Sequence, residues 1–126
     1  VAFVVGSLDA TEPVDVDGVP LRIVHRPGKA DLTPFAAEVG AFCLRYFADY
    51  YGIPYPDKKM DMVGLPDFAQ GAMENLGCIT YRESLLLVDL DKATQPEVAT
   101  VADTHPVHAA VMALPGTTVH PPVPTL

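Results

Sequence analysis

The sequence predicts an α+β fold, and three observations carry that prediction. Short β-branched or alternating apolar runs recur between Gly- and Pro-containing breaks, as strands do. One stretch, residues 33–52, instead repeats its apolar side chains every three or four positions, the period of a helix. After Asp103 no Asp, Glu, Lys or Arg occurs, and five of the 13 prolines fall within residues 106–126, which predicts an irregular tail.

Taken in order, residues 1–6 are apolar and β-branched, end on Gly6-Ser7, and predict a strand. Residues 9–18 carry Asp9, Glu12, Asp15 and Asp17 and close on Asp17-Gly18, a strong hairpin signal. Residues 21–25 resume a half-alternating strand, giving a hairpin or two edge strands, and Pro27-Gly28 marks a boundary. Thr33 then predicts a helix cap, with Pro34 at the first helical position, where its missing N–H costs nothing. Phe35, Val39, Phe42, Tyr46 and Tyr50 form the expected apolar face, widened by Cys43 and Phe47. Gly52 stops the helix, and Pro54 and Pro56 prevent its continuation.

Residues 59–65 alternate well enough for a strand that ends at Pro66-Asp67. Residues 71–75 predict a small-residue loop, and residues 77–81 and 85–88 two further short strands. A helix over 95–101, capped by Thr94 with Pro96 at its first position, cannot pass Pro106, which would remove a hydrogen bond and clash.

Composition excludes several function classes. The 126 residues include 8 basic and 16 acidic side chains, a net charge of −8, so no basic stripe is present to follow a nucleic-acid backbone. No run approaches the ~18 apolar residues of a membrane span. Cys43 and Cys78 lack metal-ligand spacing; Cys43 belongs on the apolar side of the helix, and nothing near Cys78 clearly lowers its pKa. The Tyr46-Phe47-Tyr50-Tyr51 cluster suits helix packing better than a binding platform. There is no basic leader with a cleavage site, the chain opens inside an apolar run as though cut through a strand, and the expected compartment leans to the cytoplasm.

The sharpest site candidate is Gly71-Ala72-Met73-Glu74-Asn75. Two small residues permit close backbone approach to a ligand, and a carboxylate follows on a loop between strands. Such an edge can hydrogen-bond an extended peptide while Glu74 meets its amino terminus. The plainer alternative is a solvated loop carboxylate, which is the fate of most Glu residues.

Gly-Ala-Met-Glu-Asn resembles the exopeptidase motif of the zinc aminopeptidases typified by aminopeptidase N and leukotriene hydrolase. Further landmarks of that family stand in the same order: Val1-Ala2-Phe3-Val4-Val5-Gly6, Arg26-Pro27-Gly28-Lys29-Ala30, Tyr50-Tyr51-Gly52-Ile53-Pro54-Tyr55-Pro56, Lys59-Met60-Asp61, Pro66-Asp67-Phe68 and Ile79-Thr80-Tyr81-Arg82-Glu83. The resemblance implies that residues 1–26 end an amino-terminal β domain and that 27–101 open a thermolysin-like catalytic domain. Residues 102–126 would be a Pro-rich tail foreign to the family. By the same resemblance, Glu74 binds the substrate's α-ammonium, Gly71 and Ala72 hold the peptide backbone, and Met73 and Asn75 shape the loop. For Met73, simple packing stands beside that role. The implied partner is a peptide with a free amino terminus.

The family also needs zinc, held by His-Glu-x-x-His on a helix and a second Glu, with the first Glu as general base. No such pattern is present here: no Glu follows Glu97, and Pro106 interrupts the expected helix. His105 and His108 amount to half a metal site, and His120 sits among prolines. The expectation is therefore a fragment that keeps substrate recognition, lacks the zinc site and shows no activity alone. The tail would then arise from a shifted frame, altered splice or fusion. The alternatives are a non-catalytic peptide-binding or regulatory module, and a truncated product that does not fold stably.

Overall fold

The computed structural model describes residues 2–93. Its strands are β1 (Asp9–Ala10), β2 (Val14–Val16), β3 (Val19–His25), β4 (Met60–Leu65), β5 (Ala72–Met73) and β6 (Cys78–Arg82). A long helix, α1 (Pro34–Tyr51), joins β3 to β4, and a single helical turn, α2 (Glu83–Leu86), follows β6. The strands form one mixed sheet in the order β1-β3-β4-β6-β5, with β2 also on β3. The central pairs β3–β4 and β4–β6 are parallel, whereas β1, β2 and β5 pair antiparallel with their neighbours. The α+β expectation holds at this level. Pro27-Gly28 lies between β3 and α1, and the sheet takes strands from either side of it.

The hairpin forms where Asp17-Gly18 placed it. Val16 pairs with Val19, and the two turn residues have φ of 51° and 86°, both in the left-handed region. That is the geometry whose twist matches the flanking strands, and Gly18 adopts it without a Cβ penalty. The expected strand over residues 1–6 does not form in the described part. Residues 2–5 have no regular structure, and Phe3 and Val5 are exposed. β-propensity measures fit to a half-buried pleated surface, and among the described residues no strand pairs with this segment.

Strand register explains the core. Leu21 pairs with Met60, Ile23 with Met62, and Met62 with Ile79, so these side chains share one face with Tyr81 two residues further along. All six are fully buried. Helix α1 covers this face with Ala36, Gly40, Ala41, Cys43 and Leu44, a different set from the one periodicity selects. Phe42, Tyr46 and Tyr50 point away from the core and are exposed. Small side chains win the inner face because they let the helix approach the sheet closely. The aromatic rings instead stack along the helix, Phe42 on Tyr46 at 5.8 Å and Tyr46 on Tyr50 at 6.1 Å.

The helix ends as its sequence predicts. Gly52 takes φ 65°, its N–H donates to the Asp49 carbonyl at 3.3 Å, and the Ile53 N–H donates to Ala48 at 3.2 Å. This is the paired Schellman arrangement that satisfies the last carbonyls. At the other end Pro34 opens the helix, but the Thr33 hydroxyl donates backwards to the Ala30 carbonyl at 2.7 Å instead of capping.

The expected strand over 85–88 is corrected as well. Residues 83–86 make the turn of α2, closed by the Leu87 N–H on the Glu83 carbonyl at 2.9 Å. Leu86, Leu87 and Val88 are consecutive and all buried, a pattern that a half-exposed strand cannot satisfy. The helix expected over 95–101 lies outside the described residues. Among the described residues no helix is long and apolar enough to cross a membrane.

Candidate functional site

The segment expected to be a loop is partly a strand. Ala72 and Met73 form β5, pairing with Tyr81 and Thr80 of β6. β5 is the last strand of the sheet, so its other side is an open backbone edge among the described residues. Gly71 precedes it, half-buried, and accepts the Arg82 N–H at 2.9 Å. Ala72 packs against the core, whereas Met73 is exposed. Glu74 follows directly, exposed and without a salt bridge among the described residues. The chain then turns tightly: the Asn75 N–H donates to Met73 at 3.1 Å, and the Asn75 carbonyl accepts the Cys78 N–H at 3.0 Å. The five residues singled out in the sequence thus form one contiguous edge strand and turn.

Sequence reasoning missed what grips this turn. At its far end the Gly77 N–H donates to the Tyr55 hydroxyl at 3.0 Å. The Gly77 carbonyl accepts both the Asp61 N–H, at 3.1 Å, and the Lys59 ammonium, at 2.7 Å. At the near end Arg82 donates from Nε to the Phe68 carbonyl at 3.1 Å and from Nη2 to the Ala69 carbonyl. The one available signal was the Lys59-x-Asp61 spacing, which puts two charges on one strand face. Their partners Arg22 and Gly77 come from distant positions and could not be paired by spacing.

Gly77 is required here twice over. Its φ is 74°, and a Cβ would collide with Oδ2 of Asp57. Gly77→Ala is therefore expected to destabilise the protein by about 2 kcal/mol, mostly from the left-handed backbone, measured as a shift in urea midpoint. An unchanged midpoint would show that this turn relaxes freely.

Electrostatics divide the region into a structural network and one unengaged carboxylate. Asp61 is buried and accepts two bonds from Arg22, at 2.8 and 3.0 Å, and one from Lys59 at 2.7 Å. Burial, the largest single influence, pushes the Asp61 carboxyl up, but the hydrogen bonds and charges of Arg22 and Lys59 together hold it below the usual range. Arg26 grips Glu83 through two bonds of 2.7 Å, which lowers the Glu83 carboxyl. Burial raises the Tyr81 phenol far above its ordinary value, and the nearby charge of Glu74 adds to that. Neither cysteine is poised as a thiolate: burial takes Cys43 to about 11 and raises Cys78.

Among the described residues no three His, Cys, Asp or Glu side chains come together to hold a metal ion. His25, the one histidine there, is buried with Nδ1 against the Arg26 carbonyl at 2.8 Å. His105, His108 and His120 lie outside the described residues. The described residues do not fit a zinc ion.

Residues 35–108 match the Peptidase family M1 domain. The chain belongs to peptidase family M1. The match runs past residue 101, where the resemblance by motifs ends. The chain is 52% identical to Aminopeptidase M1 of Arabidopsis thaliana over 89 residues, which cover 71% of this chain and 10% of that protein. Against Endoplasmic reticulum aminopeptidase 1 of Homo sapiens it is 37% identical over 94 residues, 75% of this chain and 10% of the relative. A Probable M1 family aminopeptidase 2 of Encephalitozoon cuniculi is 41% identical over 109 residues, 82% of this chain and 13% of the relative. The chain spans about a tenth of the length of the curated relatives it matches. The resemblance expected from the Gly-Ala-Met-Glu-Asn segment and its neighbours is therefore a true family membership.

Proposed function

We propose that this M1 segment captures the free amino terminus of a peptide for a zinc metalloaminopeptidase, which removes residues one at a time from that end. The observation that carries the reading is Glu74: an exposed carboxylate, outside the salt bridges of the described residues, placed directly after the open edge strand β5. A peptide added along β5 would bring its α-ammonium to the Glu74 carboxylate, while the backbone of Gly71 and Ala72 lies against the incoming chain. Met73 and Asn75 set the course of the turn. The names of the relatives, all aminopeptidases, support the same reading.

Residues 27–101 would open a thermolysin-like catalytic domain, with residues 1–26 ending a preceding β domain. Zinc belongs to the whole protein in this proposal. No His-Glu-x-x-His occurs in the 126 residues, so this chain alone is expected to bind without hydrolysing, as a peptide-binding module would.

The test is a titration of two peptides differing only in an N-acetyl group. The free peptide should bind more tightly, and Glu74→Gln should weaken it by about 1 kcal/mol, roughly fivefold, as for a charge pair that remains partly in water. The acetylated peptide should be indifferent to the substitution. Equal affinity of the unaltered chain for both peptides would overturn the proposal.

A further inference from the structure

Resting on that reading of Glu74, we propose that Lys59 and Arg82 are positioning residues that clamp the two ends of the 71–77 segment and so set the place of the Glu74 carboxylate. The geometry is independent at each end. Arg82 leaves β6 and reaches back to the carbonyls of Phe68 and Ala69, just before Gly71, while its own N–H holds the Gly71 carbonyl at 2.9 Å. Lys59 enters β4 and places its ammonium 2.7 Å from the Gly77 carbonyl and 2.7 Å from Asp61.

Between these anchors the segment is bonded to the sheet only by the two residue pairs of β5 and by the Cys78 N–H on the Asn75 carbonyl. Such a short edge strand frays easily, and local opening would let Glu74 wander. Charged donors on backbone carbonyls at both ends suppress that opening more than neutral bonds do. The Asp61 carboxylate also accepts from the Lys59 ammonium and fixes it from behind. The turn therefore inherits the rigidity of the central parallel strands although it lies at the sheet's margin.

The experiment compares Lys59→Met, Arg82→Met and Arg22→Met in the full chain by site-resolved amide hydrogen exchange. Lys59→Met should speed exchange at Gly77 and Cys78 about tenfold, the loss of one charged hydrogen bond. Arg82→Met should do the same at Met73, paired with Thr80, and at the residue-82 amide that bonds the Gly71 carbonyl. Arg22→Met removes bonds to the same Asp61 but touches nothing in the turn, so it should leave exchange there at the unaltered rate. Unchanged exchange in the first two variants, or an equal rise in Arg22→Met, would overturn the clamp.

The second readout is the affinity ratio between free and N-acetylated peptide. It should fall towards one in Lys59→Met and Arg82→Met and persist in Arg22→Met. Persistence in all three would overturn the positioning role even if exchange had risen. A ratio of one in the unaltered chain would defeat the reading of Glu74 itself, and the exchange data would still decide whether the clamp exists.

Discussion

Asp61→Asn is expected to cost about 3 kcal/mol of folding stability, the low end of what breaking a buried ion pair costs. The low end applies because the two cations left behind are 42% and 48% exposed in their side chains and can turn to water, whereas the carboxylate is 11% exposed. The substitution removes a bidentate clasp on Arg22 and the contact to Lys59 together. Urea titration at neutral pH measures the loss.

The pH dependence follows with a definite sign. Because the folded Asp61 carboxyl lies below its ordinary value of 3.8, the unfolded chain takes up the proton first as pH falls. The contribution of Asp61 is fully present above the unfolded value and is lost as pH falls below it through the lowered folded value. Asp61→Asn should therefore flatten part of the acid limb of the stability curve, leaving the similar contribution of Glu83. Identical acid limbs in the two proteins would show that Arg22 and Lys59 do not hold the carboxylate in solution.

The second large effect separates the two faces of α1. Leu44→Ala should destabilise by about 3 kcal/mol, since Leu44 is 6% exposed and its removal leaves a cavity in the core cluster. Phe42→Ala should cost no more than about 1 kcal/mol, because that ring is 63% exposed and loses only its stacking on Tyr46. Thermal or urea unfolding of the pair decides it. Helical periodicity by itself ranks the two in the opposite order, so a larger loss for Phe42→Ala would place the aromatic stripe inside.

Where local chemistry settles a conformation, the residues were sufficient guides. Asp17-Gly18 tolerates the left-handed backbone that a two-residue hairpin demands, and Pro34 and Gly52 each suit one end of a helix and no other position in it. Met60–Leu65 is recognisable as a strand because its apolar run is bounded by Pro66-Asp67. Gly71-Ala72-Met73-Glu74-Asn75 was legible by resemblance to other sequences, and membership in peptidase family M1 confirms that resemblance.

The errors share a cause. In residues 2–6, the aromatic stripe of α1 and residues 85–88 the only local signal is apolarity, which says that a side chain can be buried but not whether a neighbour arrives to bury it. For α1 the neighbour is a sheet whose surface already carries Leu21, Ile23, Met60 and Met62, and bulky rings between helix and sheet would hold them apart. The helix turned its small residues inward instead.

The sequence by itself determined the Asp17-Gly18 hairpin, the span of the long helix and, through short motifs in order, the family, because each is written in residues next to one another. Only the tertiary structure decided which face of α1 is buried, that Ala72 and Met73 become an edge strand, that Lys59 and Arg82 bond carbonyls at the two ends of the turn, and that Arg22 holds Asp61. Those outcomes join residues from distant positions, such as Arg22 with Asp61 and Lys59 with Gly77. The parallel register of β3, β4 and β6 brings them together, and no local pattern encodes it.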